Sequence, residues 1–148
     1  MAKLETWLSF ACLGLCAMYV ALLLSFYNFL IGPNGNGPNT VVDPTAIIVQ
    51  IVSISGAPAL VLCGIVFAMT KGSRNKNAGL ILLAAGIILI SGIVSLKSVV
   101  TKIPERMMIS NFEPLNYVFL IAGIAVILIG IYQFLSARDK RKNRISLK

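Results

Sequence analysis

Four long stretches of this 148-residue chain contain no charged side chain. The stretches lie between Glu5 and Asp43, Asp43 and Lys71, Lys76 and Lys97, and Glu113 and Arg138. A helix needs about 20 apolar residues to cross the hydrocarbon core of a bilayer, and each stretch contains such a run. The sequence therefore predicts an all-α integral membrane protein with four transmembrane helices, over residues 7–31, 46–70, 78–100 and 115–137.

Composition excludes most soluble classes of protein. The chain is 57% hydrophobic and 12% charged, whereas an average soluble domain is about a quarter charged. Its net charge of +8 would suit a soluble nucleic-acid binder, but this hydrophobicity would not. The apolar runs are continuous and too long for strands. The first run is also about twice the 7–15 apolar residues typical of a signal peptide, so a retained span is predicted.

The connections between the runs predict helix ends. Residues 32–38 (GPNGNGP) contain turn-forming Asn-Gly pairs, and Asp43 and Glu113 each precede a proline suited to a helix start. The partly apolar third loop, around residues 103–112, is expected to lie along the membrane surface. Such short connections favour a single domain over residues 1–148, an antiparallel up-down bundle. Pro58, in the middle of the second span, predicts a kink there.

Basic residues predict the orientation of the bundle. With four spans, the N-terminus, the middle turn and the C-terminal tail lie on one side of the membrane. Ten of the thirteen basic residues fall on that side, and three fall on the other. We therefore expect a multi-pass protein of the cell membrane with both termini in the cytoplasm.

Small residues recur at seven-residue spacing and are candidates for helix packing. In lipid, helices associate through close approach of small side chains, and a seven-residue repeat keeps one seam facing a partner. The candidates are Gly14 and Ala21 in the first span, Ala57 and Gly64 in the second, Ala78, Ala85 and Gly92 in the third, and Gly123 and Gly130 in the fourth.

Polar residues within the spans are interpreted first as structural, not as part of a transport or catalytic site. Ser91, Ser95 and Ser98 lie on one face of the third span, where interhelical hydrogen bonding is a more frequent role than lining a substrate path. Gln50 and Gln133 lie near helix ends and require no special role. Proton-coupled transport requires an ionisable residue in the core of a span, and none of the four predicted spans has one there. The small multidrug transporters carry a membrane-embedded glutamate in their first helix, whereas Glu5 precedes the span here.

The three cysteines are the weak candidates for metal binding. Cys12 and Cys16 are four residues apart on one helical face, and Cys63 is expected at a similar depth on the second span. Their thiolates, with help from Met18, are ligands that suit Cu(I). Burial as small hydrophobic residues is the competing interpretation, and it is the more frequent one. No disulfide is predicted, because the cysteines lie in the predicted cytoplasmic half.

Catalytic motifs do not emerge from the sequence. The chain contains no histidine, so Ser/His/Asp and Cys/His catalysis are excluded. Gly35 and Gly37 do not join a strand to a helix, as a phosphate-binding loop would. The sequence therefore predicts no cofactor and no enzymatic activity for the chain by itself.

The C-terminal tail, residues 138–148, is strongly basic. Five of the seven residues from 138 to 144 carry positive charge, which predicts attachment to anionic lipid headgroups at the cytoplasmic face. A solvated tail that only fixes topology is the alternative, and nucleic acid is not expected as a partner. The candidate headgroup residues are Arg138, Lys140, Arg141, Lys142 and Arg144.

These features together favour a non-catalytic accessory subunit that packs against other transmembrane subunits in a hetero-oligomer. In its size, four-helix bundle and lysine-rich end, the chain resembles the small accessory subunits of archaeal ammonia monooxygenase, a copper membrane monooxygenase. The resemblance implies a membrane-bound monooxygenase or respiratory complex as the setting, and it transfers no ligand or catalytic residue. The alternative is a small oligomeric transporter or channel, with Pro58 and the serine face lining a polar route.

Overall fold

All regular structure in the described part of the chain is helical. The computed structural model describes residues 4–32, 35–38, 42–71, 76–103 and 112–145, with the side chains of the last stretch described over 114–136. The helices are α1 (Leu4–Ile31), α2 (Pro44–Ile51), α3 (Ala57–Thr70), α4 (Lys76–Val100) and α5 (Phe112–Ile145). A single π-helical turn, Val52–Gly56, joins α2 to α3 without a break.

The four predicted apolar helices are confirmed at nearly the predicted positions. Within the described residues, four helical segments are long and apolar enough to cross a membrane: Leu4–Ile31, Pro44–Thr70, Lys76–Val100 and Pro114–Ser136. Each begins one to three residues before the predicted span, because capping residues and the first turn tolerate polar side chains that a hydropathy pattern leaves out. The backbone of α5 continues to Ile145, so most of the basic tail extends the helix.

Two of the predicted helix boundaries are confirmed. The first helix ends at Ile31, and Gly32 follows with φ +71°, a left-handed conformation that glycine adopts without steric cost. Asp43 caps α2, because its side chain accepts hydrogen bonds from the Thr45 and Ala46 backbone N–H groups at 3.0 and 3.4 Å. The cap predicted at Glu113 is wrong, since α5 already includes Phe112. Most of the third loop, residues 104–111, lies outside the described residues.

The π-helical turn lies directly before Pro58, which has no N–H to donate to the carbonyl of Ile54. The Ala57 N–H reaches back to the Val52 carbonyl, a π-type hydrogen bond. Nearby serine hydroxyls donate to backbone carbonyls, Ser53 to Val49 and Ser55 to Ile51, both at 2.8 Å. The helix thus widens by one residue at the proline, while the serines add hydrogen bonds on its N-terminal side.

The core is formed by the inner faces of all four spans. The most extensive packing is between α4 and α5, followed by α1 with α4 and α1 with α3. At the centre, the rings of Tyr19 and Phe119 stack with centroids 4.3 Å apart. Gly56 lies against this pair, so close that a Cβ atom there would be 2.7 Å from Phe119 Cζ. The π-helical turn between α2 and α3 therefore lies beside the Tyr19–Phe119 pair.

Candidate functional site

The three cysteines of the chain lie together in the core between α1 and α3. Their Sγ atoms lie within 4.8 Å of one another. Cys12 and Cys16 are fully buried, and Cys63 is 2% exposed. We refer to Cys12, Cys16 and Cys63 as the cysteine cluster. The sequence predicted only a similar depth for these residues, and in the structure their three sulfur atoms also lie close together.

Local helix geometry explains how the cluster forms. Residues four apart lie on one face of a helix, so Cys12 and Cys16 both point from α1 toward α3. Ala59 lies one turn before Cys63 and is 1% exposed, and its small side chain allows the two helices to approach closely. Cys12 Sγ lies 3.5 Å from the Ala59 carbonyl oxygen, within reach for a reduced thiol to donate a hydrogen bond.

The prediction that the cysteines form no disulfide is wrong. Cys12 and Cys63 are paired as a disulfide whose Cα atoms are 5.9 Å apart, a usual separation for such bonds. Cys16 remains a free, buried thiol beside the pair. The prediction rested on the redox compartment, which decides whether thiols are oxidised but not whether two sulfur atoms are near enough to bond.

Met18 does not contribute to the cluster, contrary to the help predicted from it. Its side chain is 39% exposed and lies on the outer surface of α1. The buried neighbours along the same helix are Ser9, whose hydroxyl donates to the Glu5 carbonyl at 2.7 Å, and Tyr19. Among the His, Cys, Asp and Glu side chains of the described residues, those assembled here are therefore the three cysteines.

Gly123 and Gly130 of the fourth span line the seam between α4 and α5, where they face Gly86 and Gly79, whereas Gly92 of the third span packs against Val20 of α1. Ala78, Ala85 and Gly92 are buried on α4, and Gly123 and Gly130 are buried on α5. A Cβ atom on Gly130 would lie 2.8 Å from the Leu83 backbone nitrogen, and one on Gly86 would lie 3.0 Å from the Gly123 carbonyl oxygen. The two backbones therefore approach to a distance that only small residues permit.

The small residues of the first and second spans face outward instead. Gly14, Ala21, Ala57 and Gly64 are all exposed. A Cβ atom on Gly14 or Gly64 would meet no atom within 4 Å. We call these four residues the outward small-residue faces; no described part of the chain covers them.

The serine face of α4 is also on the outer surface. Ser91, Ser95 and Ser98 are exposed, and their hydroxyls donate to carbonyls of their own helix at 2.7–3.1 Å. Among the described residues they form no hydrogen bond to another helix, so the predicted interhelical role is not seen within this bundle. Pro58, by contrast, is half-buried at the start of α3.

A groove opens between the C-terminal end of α4 and the N-terminal end of α5. Its volume is about 270 Å³, and Lys97, Thr101, Asn116 and Tyr117 supply its polar lining. Lys97 Nζ lies 5.5 Å from the centre of the Tyr117 ring, an arrangement typical of a cation–π contact. Tyr117 is exposed. Tyr27 is buried in the core.

One buried polar contact was not predicted. Gln133 on α5 donates a hydrogen bond to the Thr70 hydroxyl at the end of α3, and both side chains are at least nine-tenths buried. The Thr70 hydroxyl in turn donates to the Val66 carbonyl at 2.7 Å. The sequence signal for this contact is a polar amide close to the small residues of the fourth span. Because Gln133 lies near a helix end, the sequence predicted no special role for it.

The candidate headgroup residues of the tail have a described backbone only. The residues from 138 to 144 continue α5 as helix, and their side chains lie outside the described part of the structure.

The described part of the chain thus has four helices that are long and apolar enough to cross a membrane, a build typical of helical membrane proteins. No family model, no curated protein and no solved structure matches the chain.

Proposed function

We propose that the chain is a non-catalytic accessory subunit whose outward small-residue faces pack against helices of partner subunits in a larger membrane complex. The observation that carries this proposal is the open space around Gly14 and Gly64. Lipid tails are as apolar as leucine, so a lipid-facing helix gains nothing from lacking side chains. Close approach of another helix, in contrast, depends on small residues, as the seam between α4 and α5 illustrates.

The bundle is proposed to be an antiparallel, membrane-inserted one, with its second span kinked at Pro58. The order of contacts supports this arrangement. Gly79 lies beside Gly130 while Gly86 lies beside Gly123, so the two sequences run in opposite senses along the seam. Cys12 likewise pairs with Cys63, while Tyr19 lies beside Gly56.

Both termini are proposed to face the cytoplasm, in the cell membrane. The cytoplasmic segments would then carry ten of the thirteen basic residues, as the positive-inside rule requires. The basic residues from 138 to 144 would meet anionic lipid headgroups there. Cysteine labelling tests the orientation: on intact cells, a membrane-impermeant maleimide is expected to modify a cysteine introduced at Asn36 but not one introduced at Asn143. Labelling in the reverse pattern would contradict the orientation.

A membrane-bound monooxygenase or respiratory complex is the proposed setting, supported by the resemblance in size, build and basic end to accessory subunits of archaeal ammonia monooxygenase. A small oligomeric transporter or channel is the second candidate. It is favoured by one observation, the outward position of Ser91, Ser95 and Ser98, which would place these hydroxyls between copies of the chain.

Native gel electrophoresis with mass spectrometry separates the two candidates. After gentle detergent extraction from its own membranes, the chain is expected to migrate with larger, different subunits. Migration as an oligomer of this chain alone would favour the transporter. Migration as a free 15.9 kDa chain would contradict both proposals.

A further inference from the structure

We propose that the cysteine cluster, in its reduced form, is a binding site for one Cu(I) ion. The only three cysteines of the chain come from two helices and positions 12, 16 and 63, yet their sulfur atoms lie within 4.8 Å of one another. Separate burial of each cysteine as a small hydrophobic residue would not require this meeting. The site goes beyond the packing role proposed above and is independent of it.

The donor set determines which ion the site takes. Thiolate sulfur is a soft ligand, and soft ligands select Cu(I), zinc and iron–sulfur clusters over calcium, magnesium and manganese. Structural zinc sites are almost always four-coordinate, with nitrogen or oxygen ligands often completing the set. Here there are three sulfur atoms, and the chain has no histidine to add. Cu(I) is the soft ion that accepts so small a set of ligands.

Burial also favours a monovalent ion bound by few thiolates. Charges in the interior of a membrane protein are costly unless they are compensated. Two thiolates and one thiol around Cu(I) leave a single negative charge, so we expect Cys12 and Cys63 to lose their protons and Cys16 to contribute as the third sulfur. Binding then releases two protons per ion, because metal ligands must be deprotonated.

The disulfide between Cys12 and Cys63 is the competing state of the same atoms. Each sulfur that is bonded to another sulfur has lost its thiolate, so the oxidised protein keeps only Cys16 as a ligand. The same polypeptide thus supplies its own control: reduced protein is expected to bind Cu(I), and oxidised protein is not.

Titration of the full-length chain in detergent tests the site. The protein is reduced under anaerobic conditions and titrated with Cu(I) held by the colorimetric chelator bicinchoninate. We expect one Cu(I) per chain, two protons released per ion, and an X-ray absorption spectrum in which every atom bound to copper is sulfur. Oxidation to the disulfide before titration should abolish binding, and renewed reduction should restore it.

Variants assign the ligands. Cys12→Ala, Cys16→Ala and Cys63→Ala are each expected to lower Cu(I) affinity by at least about 100-fold, the upper range for losing an outer-shell partner of a metal site. Met18→Leu, which removes the outward sulfur of the same helix, should leave the affinity unchanged. Circular dichroism on each variant identifies any that fail to fold. For such a variant, the oxidised wild-type protein serves as the form without an intact site, and its Cu(I) binding is compared with that of the reduced protein.

Several results would overturn the proposal. One is the release of all Cu(I) from reduced wild-type protein to the chelator, and another is binding by the alanine variants that equals binding by the wild type. Nitrogen or oxygen bound to the copper, or zinc bound as tightly as Cu(I), would equally exclude a sulfur-only Cu(I) site.

Discussion

Individual glycines show how far local sequence determines packing. Seven-residue spacing predicted that Gly64 and Gly130 both serve helix association, and the spacing is the same in both cases. Gly130 is pressed against the backbone of α4, whereas Gly64 faces open space. Spacing predicts that a seam exists along a helix, but the partner that covers the seam depends on how the helices are arranged around one another.

The same substitution at the two glycines should therefore have different effects. Gly130→Ala places a Cβ atom 2.8 Å from the Leu83 backbone nitrogen, which cannot move without shifting α4. We expect a loss of about 1–3 kcal/mol in the free energy of unfolding, the usual cost of overpacking. Gly64→Ala should leave it unchanged or raise it by up to about 1 kcal/mol, because alanine is the better helix former.

Unfolding of the purified chain in mixed detergent, followed by circular dichroism, measures both variants. Equal effects of the two substitutions would show that the environments of the glycines do not differ as described.

The cysteines give a second lesson at this scale. Their common depth was predictable from the rise of a helix per residue, but their contact was not, because depth leaves open the direction in which each helix face points. The outward position of Met18 has the same origin.

At the scale of helices, the start of α2 was easier to predict from the sequence than the π-helical turn that follows it. The cap at Asp43 was predictable because it depends on one side chain and the backbone next to it. The π-helical turn at Val52–Gly56 was not, although Pro58 predicted some disturbance. Gly56, the last residue of this turn, fits closely against Tyr19 and Phe119, which are distant in sequence.

Removal of the cap should loosen the start of α2. Asp43→Ala leaves the Thr45 and Ala46 N–H groups without their acceptor, and loss of such a cap costs about 1 kcal/mol. We expect faster hydrogen exchange at these two amides, while amides in α4 keep the wild-type rate. Asp43→Asn retains an acceptor oxygen and should exchange almost as slowly as the wild type. Equally fast exchange in the asparagine and alanine variants would contradict the cap.

For the whole molecule, the absence of charges over four long stretches was enough to predict four apolar helices. The order of packing among them was not predictable, since each span has more than one apolar face. The outward small-residue faces emerge only at this scale, because they are defined by what the other helices leave uncovered. They are the basis of the proposed role in a complex.

The mass of the native complex, compared between wild-type protein and two leucine variants, tests that role most directly. Gly64→Leu fills an outward small-residue face, and Val94→Leu adds bulk at an exposed position of α4. We expect the wild type and Val94→Leu to migrate with larger subunits, and Gly64→Leu to migrate as the free 15.9 kDa chain with unaltered thermal stability. Retention of Gly64→Leu in the complex, or a wild type that migrates alone, would contradict the proposal.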